Sequence, residues 1–131
     1  MIVLDTHTLV WWVSGDPLLS ERARAAIEHE QPDGDIIVSS ISAWEIAMLV
    51  ERGKLVLSMD VGSWLSTVAQ IDAVHFLPVD VEVATKSVDL PGDFHKDPAD
   101  RIIVATARKL AIPLVTKDDK IRAYAHVKTI W

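Results

Sequence analysis

Four acids dispersed along the 131 residues, Asp5, Glu45, Asp100 and Asp118, are the side chains in this sequence best placed to do chemistry. Asp5 closes the apolar run Ile2-Val3-Leu4, Glu45 follows Ile36-Ile37-Val38 by one turn of helix, and Asp118 follows Pro113-Leu114-Val115. Asp100 lies in the first turn of a helix that opens at Asp97-Pro98. Four carboxylates converging in one cleft repel one another, and proteins tolerate this chiefly when a proton or a cation is shared. No Lys is evidently placed among them, and no His stands at a repeated metal-ligand spacing. Oxygen ligands of this kind point to Mg²⁺ or Mn²⁺ rather than zinc. Carboxylate-held divalent ions suit phosphoryl chemistry, with a phosphodiester as the natural substrate. Lys96, Arg101 and Lys117 are then candidate phosphate contacts.

Each of these residues also has a plainer role. Asp97 fits a helix N-cap and Pro98 the first helical position, and a first-turn acid such as Asp100 gains about 0.3–1 kcal/mol from the helix dipole. Ser42-Ala43-Trp44-Glu45 has the form of a capping box, in which Glu45 reaches back to a backbone N–H. The basic side chains also read as ordinary surface charges. His7 is close to Asp5 and suits either a substrate contact or a loop position, while His29, His75, His95 and His126 form no ligand spacing. Trp11, Trp12, Trp44 and Trp64 lie in expected helices, where they serve a core or a dimer interface, or stack on bases as aromatics do in single-strand binders. Neither a glycine-rich phosphate loop nor a nucleophile elbow is present.

The elements that must position the acids alternate. Strands are expected at 2–4, 36–38, 76–79 and 112–115, with a final edge strand within 127–131. Helices are expected at 9–13, 20–30, 43–52, 61–71, 81–88 and 97–110, and a short one from 116 to about 124. Ile36-Ile37-Val38 is apolar without alternation, as in a strand buried on both faces of a parallel sheet. From Asp100, helical spacing leads to Val104, Ala107 and Ala111 as the packing face. The loop Leu90-Pro-Gly-Asp-Phe-His-Lys96 is flexible by composition. Strand–helix alternation indicates an α/β fold of three layers, α/β/α, around a mainly parallel sheet of about five strands. In such sheets ligands sit beyond the carboxyl ends of the strands, where strand order reverses. Asp5, Glu45 and Asp118 share that edge, and Asp100 joins them if its preceding loop opens there too.

Half of the residues are hydrophobic, enough for one domain over 1–131 with one substantial core, and no linker or repeat divides it. The absence of cysteine excludes disulfides, thiol nucleophiles, thiolate zinc sites and iron–sulfur clusters. The opening apolar run is broken at Asp5 and fits neither a signal peptide nor a membrane span, so a cytoplasmic protein without membrane contact is expected. A net charge of −6 argues at first against nucleic acid, but its distribution is uneven. From Lys96 onward eight Lys or Arg face four Asp, whereas the first ninety-five residues hold five against fifteen acids. A basic segment thus adjoins some of the acids, as suits a site that holds a metal and attracts an anion; a solvated helix face has the same composition.

With these pieces in order, the chain resembles the PIN-domain ribonucleases, and among them the VapC-type toxins of bacterial toxin–antitoxin pairs. The matching segments are Val3-Leu4-Asp5-Thr6-His7, Ser42-Ala43-Trp44-Glu45, Asp97-Pro98-Ala99-Asp100-Arg101 with the apolar helix after it, and Pro113-Leu114-Val115-Thr116-Lys117-Asp118. They span nearly the whole chain. The resemblance implies a Mg²⁺- or Mn²⁺-dependent endoribonuclease with Asp5, Glu45 and Asp100 as metal-site acids and Asp118 as a fourth. It also implies that Thr116 orients a carboxylate or a water, that Asp119 is a weaker substitute for Asp118, and that Asp97 is a cap rather than a ligand. As partners it implies an RNA substrate, a second copy in a homodimer, and a cognate antitoxin that covers the groove.

Rival readings differ in checkable ways. A receiver-like Mg²⁺-binding signalling domain needs two adjacent acids after strand one and a phosphoacceptor Asp at a mid-sheet strand end; Asp5 is single, and the mid-chain acid is a Glu within a helix. A haloacid-dehalogenase-like phosphatase needs a second Asp two residues after the first, where His7 stands. A catalytically silent PIN-like binding module would be expected to lack some of the four acids.

Overall fold

The computed structural model describes residues 1–131. Five strands, β1 (Ile2–Leu4), β2 (Ile36–Ser39), β3 (Val74–Leu77), β4 (Leu114–Val115) and β5 (Thr129–Ile130), form one sheet in the order β3-β2-β1-β4-β5. All four pairings are parallel. Seven helices complete the chain: α1 (Thr6–Ser14), α2 (Glu21–Glu30), α3 (Ser40–Glu51), α4 (Val61–Ala69), α5 (Val81–Val88), α6 (Pro98–Leu110) and the single turn α7 (Asp119–Arg122). None is long and apolar enough to cross a membrane.

The three-residue strand β1 is central because every residue in it is buried and its side chains alternate between the sheet faces. Ile2 and Leu4 enter a core with Ile36, Val38 and Val115, packed on one face against Leu9 of α1, Ala23 and Ile27 of α2, Ile46 of α3, and Trp64 and Val68 of α4. Val3, Ile37 and Leu114 point the other way, against Val83 of α5, Ile103, Val104 and Ala107 of α6, and Ile121 of α7. Two cores on two faces make the α/β/α layering. They also explain why Ile36-Ile37-Val38 is apolar throughout.

Strand order reverses at β1. The chain leaves it toward β2 and β3, then returns on the opposite side at β4 and β5, so a crevice opens beyond the carboxyl ends of β1 and β4. Several boundaries differ from expectation for local reasons. Asp5 accepts the Thr6 N–H and starts α1 three residues earlier, immediately after β1. Ser39 likewise ends β2 and caps α3, which begins at Ser40 rather than at Ala43. β3 covers 74–77 instead of 76–79, because its partners in β2 run from Ile36 to Ser39. Ala111 is exposed and closes α6 in a left-handed conformation, φ 55°, so the packing face ends at Ala107.

Candidate active site

The crevice holds an open cavity of about 460 Å³ lined by six acids, Asp5, Glu45, Asp97, Asp100, Asp118 and Asp119, together with Thr6, His7, Trp11 and Lys117. Asp5 enters it from the end of the central strand. Its carboxylate is buried and held at both oxygens: Oδ1 accepts the Thr6 N–H at 2.8 Å, and Oδ2 accepts the Thr116 hydroxyl at 2.7 Å. Thr116, fully buried just past β4, also accepts the Asp118 N–H at 3.0 Å through the same hydroxyl oxygen. One side chain therefore fixes one acid and the backbone of another.

Glu45 is not part of a capping box. Because α3 starts at Ser40, Glu45 projects from its second turn, and its Oε1 accepts the Thr6 hydroxyl at 2.5 Å. Thr6 Oγ1 also lies 2.8 Å from the Ser42 hydroxyl. Thr6 has one hydroxyl proton, and once it is given to the ionised Glu45, Ser42 must be the donor of the second bond. The chain Ser42 to Thr6 to Glu45 aims the carboxylate at the cavity. Asp97 caps α6 as expected, accepting the Asp100 N–H at 2.9 Å, and Asp118 caps α7 through the N–H groups of Lys120 and Ile121.

The electrostatics are those of crowded like charges. Burial pushes the Asp5 carboxyl up, against the hydrogen bonds from Thr116 and Thr6. Burial and the neighbouring Asp5 and Asp97 do the same for Glu45, opposed by the Thr6 hydroxyl. Asp100 is pushed up to about 8, by burial first and then by Asp5, Asp97, Asp118 and Glu45. At neutral pH the cluster therefore retains a proton unless a cation takes its place. A carboxylate-rich donor set that resists ionisation and opens to solvent suits a hard divalent ion; donor atoms of Asp100 and Asp118 lie within 4.8 Å of each other, and Asp5 and Glu45 line the same cavity.

The basic residues separate into two groups. Lys117 is exposed at the cavity wall, with Nζ 5.7 Å from the centre of the Trp11 ring. Lys96 is exposed but does not line the cavity. Arg101 corrects the sequence expectation. Its guanidinium is spent on backbone carbonyls, Nε on Ser87 (2.7 Å), Nη1 on Phe94 (3.0 Å) and His95 (3.2 Å), and Nη2 on Val88 (3.1 Å), so it ties the 87–95 segment to α6 instead of facing a phosphate.

Spacing alone undervalues His95 and His7. His95 Nε2 lies 3.0 Å from Asp100 Oδ2, and His7 lines the cavity against Trp11, their ring centres 5.7 Å apart. His95 gives no periodic signal; its adjacency to Phe94 in a loop ending at the Asp97 cap is the one local clue. Of the tryptophans, Trp64 is core, Trp11 and Trp12 pack at its margin, and Trp44 is 56% exposed.

Comparison with known proteins agrees with this architecture. The PIN domain family matches residues 2–127. Ribonuclease VapC22 of Mycobacterium tuberculosis is 38% identical over 132 residues, covering 99% of this chain and 98% of that protein. Among solved structures, a toxin–antitoxin complex from Klebsiella pneumoniae has a chain that superposes with a TM-score of 0.67 at 19% identity, covering 97% of this chain and 95% of that one. VapC20 of Mycobacterium tuberculosis, a sarcin–ricin loop cleaving toxin, superposes with a TM-score of 0.69 at 16% identity and 98% coverage of both chains. At these identities the structural matches speak for the fold.

Proposed function

The chain belongs to the PIN domain family, and from that premise we propose that it is a metal-dependent endoribonuclease, the toxin of a toxin–antitoxin pair, built as one PIN-like domain over 1–131. The observation that carries this reading is the meeting of Asp5, Glu45, Asp100 and Asp118 at one open cavity, with Asp100 pushed up to about 8. Such an arrangement is unfavourable as a resting surface and favourable as a cation cradle. The relative at 38% identity is named a ribonuclease, which favours RNA as the phosphodiester.

In this reading the four acids bind Mg²⁺ or Mn²⁺. When bound, the divalent ion supplies charge neutralisation at the phosphate and activation of water. Hydrolysis adds the water oxygen to phosphorus, breaks the bond to one ribose oxygen, and leaves the water's proton on the departing alkoxide. Asp5 and Glu45, locked by Thr116 and Thr6, keep their oxygens in place without reorganising as charge develops. Lys117 is the basic side chain positioned for a phosphate, with Lys96 outside the cavity as a weaker second. The partners in this reading are a second copy of the chain and a cognate antitoxin, in keeping with the toxin–antitoxin complex of the same fold, and the setting inferred with them is cytoplasmic.

The test is cleavage of total cellular RNA with end mapping, in Mg²⁺, in Mn²⁺ and with EDTA, for wild type and Asp100→Asn. Cuts that appear with either ion and vanish with EDTA or in the folded variant are expected. Cleavage by Asp100→Asn at the wild-type rate would remove the assignment.

A further inference from the structure

The proposed metal centre has a nitrogen donor on its Asp100 side. His95 Nε2, a carboxylate oxygen of Asp100 and one of Asp118 all lie within 4.8 Å of one another. Opposed donors around an ideal octahedral Mg²⁺ are separated by about 4.2 Å, twice the metal–oxygen distance, so a small inward shift lets one ion touch all three. The ring nitrogen is closed off from solvent and has no hydrogen-bond partner. Asp100 Oδ2 is only 3.0 Å from it, yet the pair does not meet hydrogen-bond geometry, so Nε2 is left unsatisfied beside a carboxylate. Buried polar atoms are rarely left in this state, and ligation of a cation is one arrangement that would satisfy such a nitrogen.

The surroundings hold the imidazole in place. Arg101 Nη1 donates to the carbonyls of Phe94 and His95, fixing the backbone on either side of the ring. The Phe94 ring packs against the imidazole with centres 4.5 Å apart, and Tyr124 packs on Phe94 at 4.8 Å. The Tyr124 hydroxyl in turn donates to the Pro91 carbonyl. A loop that looks flexible by composition is thus tied to α6 and to the segment after α7. Arg101, the residue expected to contact phosphate, is the clamp that delivers His95.

We propose that His95 Nε2 ligates the cation held by Asp100 and Asp118, giving this centre a mixed nitrogen–oxygen donor set. This rests on the reading of the acids as a metal centre. An imidazole in the donor set favours transition ions over Mg²⁺, which prefers oxygen and dehydrates reluctantly.

The test compares binding of Mn²⁺, Co²⁺ and Mg²⁺ by calorimetry to wild type, His95→Ala and His7→Ala, with electron spin echo modulation of the Mn²⁺-loaded proteins. His95→Ala is expected to weaken Mn²⁺ and Co²⁺ binding about tenfold, in the range found when a metal site loses a supporting group, while Mg²⁺ binding changes less than about twofold. The ¹⁴N modulation of an imidazole should be present in wild type and His7→Ala and lost in His95→Ala. Wild-type modulation alone keeps the proposal testable if His95→Ala does not fold. Unchanged Mn²⁺ affinity in a folded His95→Ala, absence of ¹⁴N modulation in wild type, or equal losses for Mn²⁺ and Mg²⁺ would overturn nitrogen ligation. Equal losses would make His95 a support for Asp100 only. Failure of wild type to bind any of the three ions would instead sink the metal centre itself.

Discussion

The Thr116 hydroxyl lies 2.7 Å from Oδ2 of Asp5, joining side chains 111 positions apart across the β1–β4 crevice. The same oxygen accepts the Asp118 N–H, so a single buried group sets the relative placement of two acids from different strands. Thr116→Val keeps the shape and removes the hydroxyl, stranding a buried carboxylate oxygen and a backbone N–H. A loss of about 1–3 kcal/mol in denaturant unfolding is expected, with about 10–100-fold weaker metal binding or cleavage. Thr116→Ser should restore most of both. Equal unfolding midpoints for the Val and wild-type chains would show that the bond contributes nothing.

Asp100→Asn removes a charge that burial and the neighbouring acids both resist. Cleavage should fall by more than about 100-fold, beyond the range expected when only a supporting partner of a ligand is lost. The metal-free variant should nevertheless melt no lower than wild type at pH 8, because one like charge has left the cluster. Circular dichroism melts in EDTA read this directly.

Metal-free stability should decline between about pH 4 and pH 8. Asp100 is raised from 3.8 to about 8 in the folded chain, so in this window the unfolded chain has released a proton that the folded chain still holds. The folded state binds more protons, and stability falls as pH rises. Asp5 and Glu45, also raised, act in the same direction. Asp80, Glu82, Asp60 and Glu30 are lowered, and their contributions are lost on acidification below about pH 4, outside this window. Mn²⁺ should therefore raise the melting temperature more at pH 8 than at pH 5. A shift independent of pH would contradict proton–metal competition at these acids.

Lys117 and Arg101 should differ in salt dependence. In an Asp100→Asn background, Lys117→Ala is expected to reduce the slope of log affinity for single-stranded RNA against log salt by about 0.7 for each phosphate that the ammonium neutralises. Arg101→Lys should leave that slope unchanged and instead destabilise the fold by about 1–3 kcal/mol, because an ammonium cannot reproduce a planar fork that meets four carbonyls. A changed slope in Arg101→Lys would return that residue to the phosphate-binding surface.

The layering is legible in the sequence because it depends on local patterns: unbroken β-branched runs for strands covered on both faces, and capping residues at helix starts. The meeting of Asp5, Glu45 and Asp118 follows from those elements, since parallel strands put every strand-to-helix turn on one edge, whereas Asp100 joins them from the start of α6, which follows α5 and a loop and returns the chain to β4. Long side chains are less legible. Arg101 sits one position after Asp100, yet its stem crosses to the 87–95 segment, a destination fixed by the packing of α5 on α6 rather than by neighbours in the chain. Glu45 misleads for a related reason: Ser42-x-x-Glu45 satisfies the capping pattern, but Ser39 caps first, at the end of β2, and leaves Glu45 free for Thr6. His95 stays hidden because composition says nothing of the Arg101 bonds that order its loop.

The far edge of the sheet also reaches the acids. Ile130 in β5 accepts the Thr116 N–H at 3.1 Å, Lys128 accepts that of Leu114 at 2.9 Å, and Val115 in turn accepts the N–H of Asp5 at 3.1 Å. Trimming the chain after Lys128 would remove the first of these rungs and loosen Thr116 before any cavity residue was altered. Residues 129 and 130 thus brace the candidate site from behind, and a change that breaks their pairing with β4 would disturb the acids while sparing every one of them.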